Sequence, residues 1–207
     1  MSNEIVKILD ADVVTAVENP HYRVDVAALN LARGLSRGDS LDTPAYKFQM
    51  ELLTEAVRDY SMARGKLTRE VVKPLKDEAG IKTDASWSLD FSKKQLTIIP
   101  VGPEITNVTD EIIVDKDDVA KVSELDTLVS VYANIIERVG DTFEKNGEAS
   151  IKDLITKQSE VAKAYDLAKN EIQEKYVQPY LQANDIDGNC TWTLDFQTHK
   201  ITITKVS

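Results

Sequence analysis

The pentapeptide WSLDF beginning at Trp87 returns as WTLDF beginning at Trp192, 105 positions later, and the offset is not confined to that motif. Laid on itself at this offset without a gap, residues 1–102 meet residues 106–207 with 23 identities in 102 pairs. Unrelated stretches of average composition would share about six or seven. The identities run from Ile8, Asp10, Asp12, Val14 and Val17, which match Ile113, Asp115, Asp117, Val119 and Val122, to Thr97, Ile98 and Val101, which match Thr202, Ile203 and Val206. Such a chain reads as a tandem duplication, with a first repeat at 1–103 and a second at 104–207. Whatever one copy folds into, the other must be able to fold into as well.

Each copy opens on a short β-branched run, EIVKILD and DEIIVD, which predicts a strand of about five residues. Asp12 and Asp117 then stand where a helix N-cap is expected. A first substantial helix is expected near 22–37 and 124–145, with Val24, Ala28, Leu31 and Leu35 at helical spacing. The next helix is long. From the start signal Thr43-Pro44 the apolar column reads Tyr46, Met50, Ala56, Tyr60, Ala63, Leu67, Val71 and Leu75. From Ser150 it reads Ile151, Ile155, Val161, Tyr165, Ala168, Ile172, Tyr176 and Tyr180. Pro74 and Pro179 fall late in this helix and predict a shared bend.

The closing stretches alternate, so Trp87, Leu89 and Phe91 share one face of a strand, as do Trp192, Leu194 and Phe196. With turns at Lys93-Lys94 and Thr198-His199, Phe91 would face Leu96 and Leu89 would face Ile98. Asp90 and Asp195 would then face Thr97 and Thr202 from the opposite side. The expected class is α+β, a duplicated β-α-α-β-β unit of about 100 residues. Each unit would pack a long kinked helix on a small three-stranded antiparallel sheet, and a pseudo-twofold axis would relate the two.

Bulk properties narrow the function. With 42% hydrophobic and 29% charged residues the chain is an ordinary globular sequence. No apolar run approaches the roughly 20 residues of a membrane span. The opening MSNEIVKILDADVV lacks the basic and apolar blocks of a secretory leader. The single Cys190 supports no disulfide framework, so a reducing cytoplasm is the expected compartment. The net charge of −10 is uneven: residues 1–103 hold 14 Lys and Arg against 15 Asp and Glu, residues 104–207 hold 11 against 20. Without clustered cations, direct nucleic-acid binding is not expected.

Reactive groups are sparse. His21 matches Asp126 and His199 matches Lys94, so neither histidine recurs, and both read as exposed polar residues. Cys190 matches Ala85 and has no CxxC or CxH neighbour. No catalytic, metal or cofactor residues are assigned. Tyr60, Tyr165, Tyr176 and Tyr180 read as core residues, with their hydroxyls near its edge. Arg33 and Arg138 on the first helix read as cations that snorkel or pair with a nearby carboxylate. The acids at the strand-to-helix junctions, Asp10, Asp12, Asp115, Asp117 and Asp118, suit a helix dipole, and alternate Asp residues are also able to hold Mg²⁺. Asp90 and Asp195 interrupt apolar strands.

The leading expectation is a non-enzymatic protein-binding module of inhibitor or adaptor type. It would present an acidic, pseudo-symmetric surface to a protein partner, with Asp90, Asp115, Asp117, Asp118 and Asp195 as anchors. One alternative is a structural subunit of a larger assembly such as a viral particle. Another is a Mg²⁺-dependent enzyme acting on a phosphorylated small molecule.

Overall fold

The computed structural model describes residues 4–107, 111–142, 147–186 and 190–206. It is an α+β structure that divides into two compact units. One spans Met1–Thr15, Gly65–Lys121 and Lys169–Ser207 and contains every described strand; the other spans Ala16–Arg64 and Val122–Ala168 and is helical. Each unit therefore draws segments from both halves of the sequence.

In the strand-bearing unit, β1 (Ile5–Ile8), β2 (Thr83–Asp90) and β3 (Gln95–Asn107) form an antiparallel sheet with β3 in the middle. Strands β4 (Ile112–Ile113), β5 (Cys190–Asp195) and β6 (Lys200–Val206) form a second one around β6. Beyond the short β1 and β4, the middle strands pair with each other, from Ile105 opposite Val206 to Asn107 opposite Thr204. Leu96, Ile98, Ile201 and Ile203, at alternate positions of the middle strands, are fully buried. Trp87, Leu89, Trp192 and Leu194 lie on that same face, but they are half-buried because β2 and β5 are flanking strands.

The hairpin register differs from the expected one by two residues. Leu89 faces Leu96, Trp87 faces Ile98 and Asp90 faces Gln95; Leu194 faces Ile201, Trp192 faces Ile203 and Asp195 faces Lys200. Phe91 and Phe196 consequently leave the strands and enter the connecting loops. A shift of two keeps every side chain on its own face, so apolar alternation does not distinguish the two registers. The longer loop is set by Asp90 and Asp195, which cap it, and by Lys94 (φ 54°) and His199 (φ 56°) in the left-handed region.

The first helix of each half begins earlier than expected. Helix α1 covers Ala11–Ser36 and runs through Pro20, which places His21 within the helix and not in a loop. Its counterpart α4 covers Lys116–Thr142; residues 143–145 of the expected helix lie outside the described residues. The residues at the N-cap are Asp10 and Asp115, with Asp12 and Asp117 inside the first turn. Asp115 Oδ1 accepts the Asp117 backbone N–H at 2.9 Å.

Helix α2 (Pro44–Leu67) begins where Thr43 Oγ1 accepts the Tyr46 N–H at 3.2 Å. It continues through a π-helical turn, Thr68–Val72, into α3 (Lys73–Glu78). In the second half α5 (Glu148–Ile172) continues through the π turn Gln173–Val177 into α6 (Gln178–Ala183). The Lys73 N–H reaches the Thr68 carbonyl and the Gln178 N–H reaches the Gln173 carbonyl. Pro74 and Pro179 each follow the wide turn by two residues. A proline has no N–H to give and its ring crowds the carbonyl four residues back, and an enlarged turn accommodates both.

In the helical unit, Val24, Ala28, Leu31 and Leu35 of α1 are buried with Leu53, Ala56 and Val57 of α2, Val131, Ile135 and Val139 of α4, and Leu154 of α5. Here matching positions diverge. Val26 is exposed while Val131 is fully buried, and Ala28 is buried while Ala133 is exposed. Ile155, expected in the core column, is 50% exposed, and its neighbour Leu154 takes the buried place.

Candidate functional site

The five acids expected to anchor a partner all fall in the strand-bearing unit. Val114 donates its N–H to the His199 carbonyl at 2.9 Å, which brings Asp115, Asp117 and Asp118 beside the β5–β6 turn that Asp195 caps. Asp90 sits in the β2–β3 turn, whose Lys94 carbonyl accepts the Leu9 N–H at 2.9 Å, close to Asp10.

Four of the five are engaged in hydrogen bonds within the fold. Asp90 Oδ1 accepts from the Ser92 hydroxyl at 2.6 Å and the Lys93 N–H at 3.0 Å, which hold its pKa down at about 2. Asp195 is pushed up by partial burial, but the N–H groups of Gln197 and Thr198, the Thr198 hydroxyl and the charge of Arg69 outweigh this and leave it below the usual range. Asp118 accepts from Lys175 Nζ at 2.6 Å and the Tyr176 hydroxyl at 2.7 Å, and both depress its pKa. Asp115 is the helix cap. Asp117 is exposed at the protein surface.

Among the described residues, no group of three or more His, Cys, Asp and Glu is placed to hold a metal ion. No helix among them is long and apolar enough to cross a membrane. His21 lies 3.5 Å from Asp25, whose other oxygen accepts from Arg138 at 2.6 Å, so Arg138 pairs with a carboxylate as expected. Arg33 is exposed, and Cys190 is half-buried at the start of β5.

Two further features belong to the first sheet. The first is its outer face, the side opposite Leu96 and Ile98. Val6 (54% exposed) and Ile8 (63%) on β1 and Ile99 (43%) and Val101 (46%) on β3 are on it, with Thr97 opposite Val6 and Gln95 opposite Ile8. Ser86 and Ser88 of β2 complete the face, and Asp84 and Asp90 lie at its border. The matching positions of the second half include Glu111 for Val6 and Thr204 for Ile99, and Thr191 and Thr204 join hydroxyls there at 2.8 Å. A comparison of the two halves at period two would have exposed this difference.

The second feature is a cleft of about 680 Å³ between β2 and the helix that follows Gly65. Thr68, Val72, Lys73, Lys76 and Asp77 form its helical wall. Asp84, Ala85 and Trp87 come from β2, and Glu111 and Thr202 from the second half. Glu111 is bonded to Lys200. Lys73 and Lys76 are in no ion pair among the described residues. The matching helical positions of the second half are Gln178 and Leu181. No protein-family model matches the chain, and no curated protein or solved structure matches it.

Proposed function

We propose that the protein is a non-enzymatic binding module whose partner, another protein, docks on the outer face of the β1–β2–β3 sheet. The observation that carries this is the exposure of Val6, Ile8, Ile99 and Val101 on one face. Exposed apolar side chains gathered on one face of a sheet mark an interaction site more often than a structural need. The second sheet supplies an internal control, because it has the same register with Glu111 and Thr204 at two of these places. The other two places stay apolar, as Ile113 (75% exposed) and Val206, so of the four places the halves differ at Val6 and Ile99.

The border acids Asp84 and Asp90 and the net charge of −10 favour a partner that is apolar at the centre and basic at the rim. The anchoring role thus moves from the carboxylates to the apolar strip, with Asp90 at its margin. A tandem duplication about a pseudo-twofold axis underlies this reading. Its supports are the shared hairpin registers, the two π turns, and the burial of Leu9, Val14, Val17, Leu67, Val72, Leu96 and Ile98 alongside Val114, Val119, Val122, Ile172, Val177, Ile201 and Ile203.

The test transfers residues from one half to the other. A Val6→Glu, Ile99→Thr chain carries side chains already present at the matching positions, so its melting should stay close to that of the parent. Affinity capture from the native host, at low and high salt, should recover a protein with the parent that the double variant fails to retain. Identical recovery by both chains would refute the proposed face. Self-association of the parent that is lost in the variant would replace the partner by a second copy and favour the assembly reading.

A further inference from the structure

We propose that the cleft between β2 and α3 is a docking groove for an extended peptide segment that adds as a strand alongside β2. This rests on the protein-binding reading above and names the form in which one part of a partner is recognised. Among the described residues, β2 pairs with β3 alone. Its outer edge therefore offers a row of backbone donors and acceptors along eight residues. No other described strand pairs with that edge.

The helical wall stands across the cleft, and a slot framed by a strand edge and a helix is a known way to bind an extended chain. Main-chain hydrogen bonds to β2 would hold the peptide. Alternate side chains would point inward, and about 680 Å³ accommodates several of them. Ala85 and Trp87, on the inward side of β2, provide an apolar seat for one of these. Lys73 and Lys76 on the opposite wall select an acidic side chain. Their replacement by Gln178 and Leu181 in the second half shows that a helix of this kind does not need lysines there. Asp77, Asp84 and Glu111, the last bonded to Lys200, line the same cleft and exclude a run of acids. The recognised segment is thus extended, with one apolar residue over Trp87 and a single acid facing the lysines.

The experiment is selection of a displayed random peptide library on the intact chain, followed by synthesis of the enriched peptides. Enriched sequences should combine an apolar residue with one acidic residue. On binding, the β2 amides of the unmodified protein should gain protection from hydrogen exchange. In a Trp192→Phe chain, the emission of Trp87 should change. Lys73→Glu together with Lys76→Glu, both outside the buried core, should weaken binding at least tenfold.

The groove is refuted if no peptide is enriched, if the double charge reversal binds as well as the parent, or if β2 stays unprotected. Peptides that protect the outer face in place of the β2 edge would overturn the groove and leave the proposed function standing. The proposed function itself stands or falls on the Val6→Glu, Ile99→Thr comparison, which this selection does not use.

Discussion

The hydroxyl of Tyr176 donates to Asp118 at 2.7 Å and accepts the backbone N–H of Asp115 at 3.1 Å. A residue of the second π turn is thereby tied to the first turn of α4, and Lys175 on the same carboxylate adds charge to the tie. Tyr176→Phe removes both bonds while keeping the ring. The expected cost is about 1–2 kcal/mol of unfolding free energy, because one bond is made to a charged group. Urea denaturation measures this, and carboxyl NMR should show the Asp118 pKa rising in the variant. The first half has Val71 at the matching position, so its π turn lacks this tie and should not respond to Val71→Ala in the same way.

Acid should loosen the hairpin turn and the tie between the second π turn and α4 before it reaches the helical core. The pKa values of Asp90 and Asp118 are depressed in the folded protein, that of Asp90 to about 2 from an ordinary 3.8. A carboxylate held below its unfolded pKa adds stability that is fully present above the unfolded value and lost as pH falls through the folded one. The loss is therefore expected between about pH 4 and pH 2. Asp90→Asn should flatten its share of that dependence, read as the difference in melting temperature between about pH 5 and pH 3. An unchanged pH profile would show that the turn does not depend on the ionised carboxylate.

Gly147 lies against the end of α1, where an added Cβ would stand 2.4 Å from the Leu35 carbonyl oxygen and 2.6 Å from Ser36 Cα. These are backbone atoms in a buried place and have little room to give. Gly147→Ala should cost about 1–3 kcal/mol, as overpacked sites do. Gly140 makes the control. It lies in α4 with nothing within 4 Å of the built Cβ. Gly140→Ala should stabilise the protein by about 0.5–1 kcal/mol through helix propensity. Thermal melting of the two variants should move in opposite directions.

Tyr46 is buried in the helical core, and its hydroxyl has no hydrogen-bond partner among the described residues. Burial, followed by the effect of Tyr132, pushes its pKa well above the usual range. A buried unpaired hydroxyl costs about 1–3 kcal/mol relative to a satisfied one. Tyr46→Phe is therefore expected to raise stability by about 1 kcal/mol. A loss of similar size in chemical denaturation would mean that the hydroxyl is paired in solution.

What could be read along the chain was whatever has a fixed period. Alternation placed Leu96 and Ile98 on the inner face, and the 3.6-residue repeat placed Val24, Ala28, Leu31 and Leu35 in a core. Spacing also located the long helices and put Pro74 and Pro179 at matching distortions. The start of the first helix, expected near residue 22, was placed too late, because α1 begins at Ala11 and carries Pro20 inside it. Of the candidate site, the carboxylates were visible but their occupations were not. Asp118 has Tyr176 for a partner 58 residues away, a relation that no local pattern expresses.

The amino-acid sequence by itself determined which faces are apolar, where helices run and where their ladders are disturbed, because neighbours a few residues apart decide those matters. Tertiary structure decided the two-residue shift of each hairpin, the exchange of Ile155 for Leu154 in the core, and the opposite fates of Val26 and Val131. It also decided that the first sheet leaves Val6, Ile8, Ile99 and Val101 exposed while, among the described residues, β2 pairs with β3 alone. Periodicity says that a side chain turns to one side. Which segment waits there depends on chain packing from far along the sequence, and that is settled only when the whole core closes.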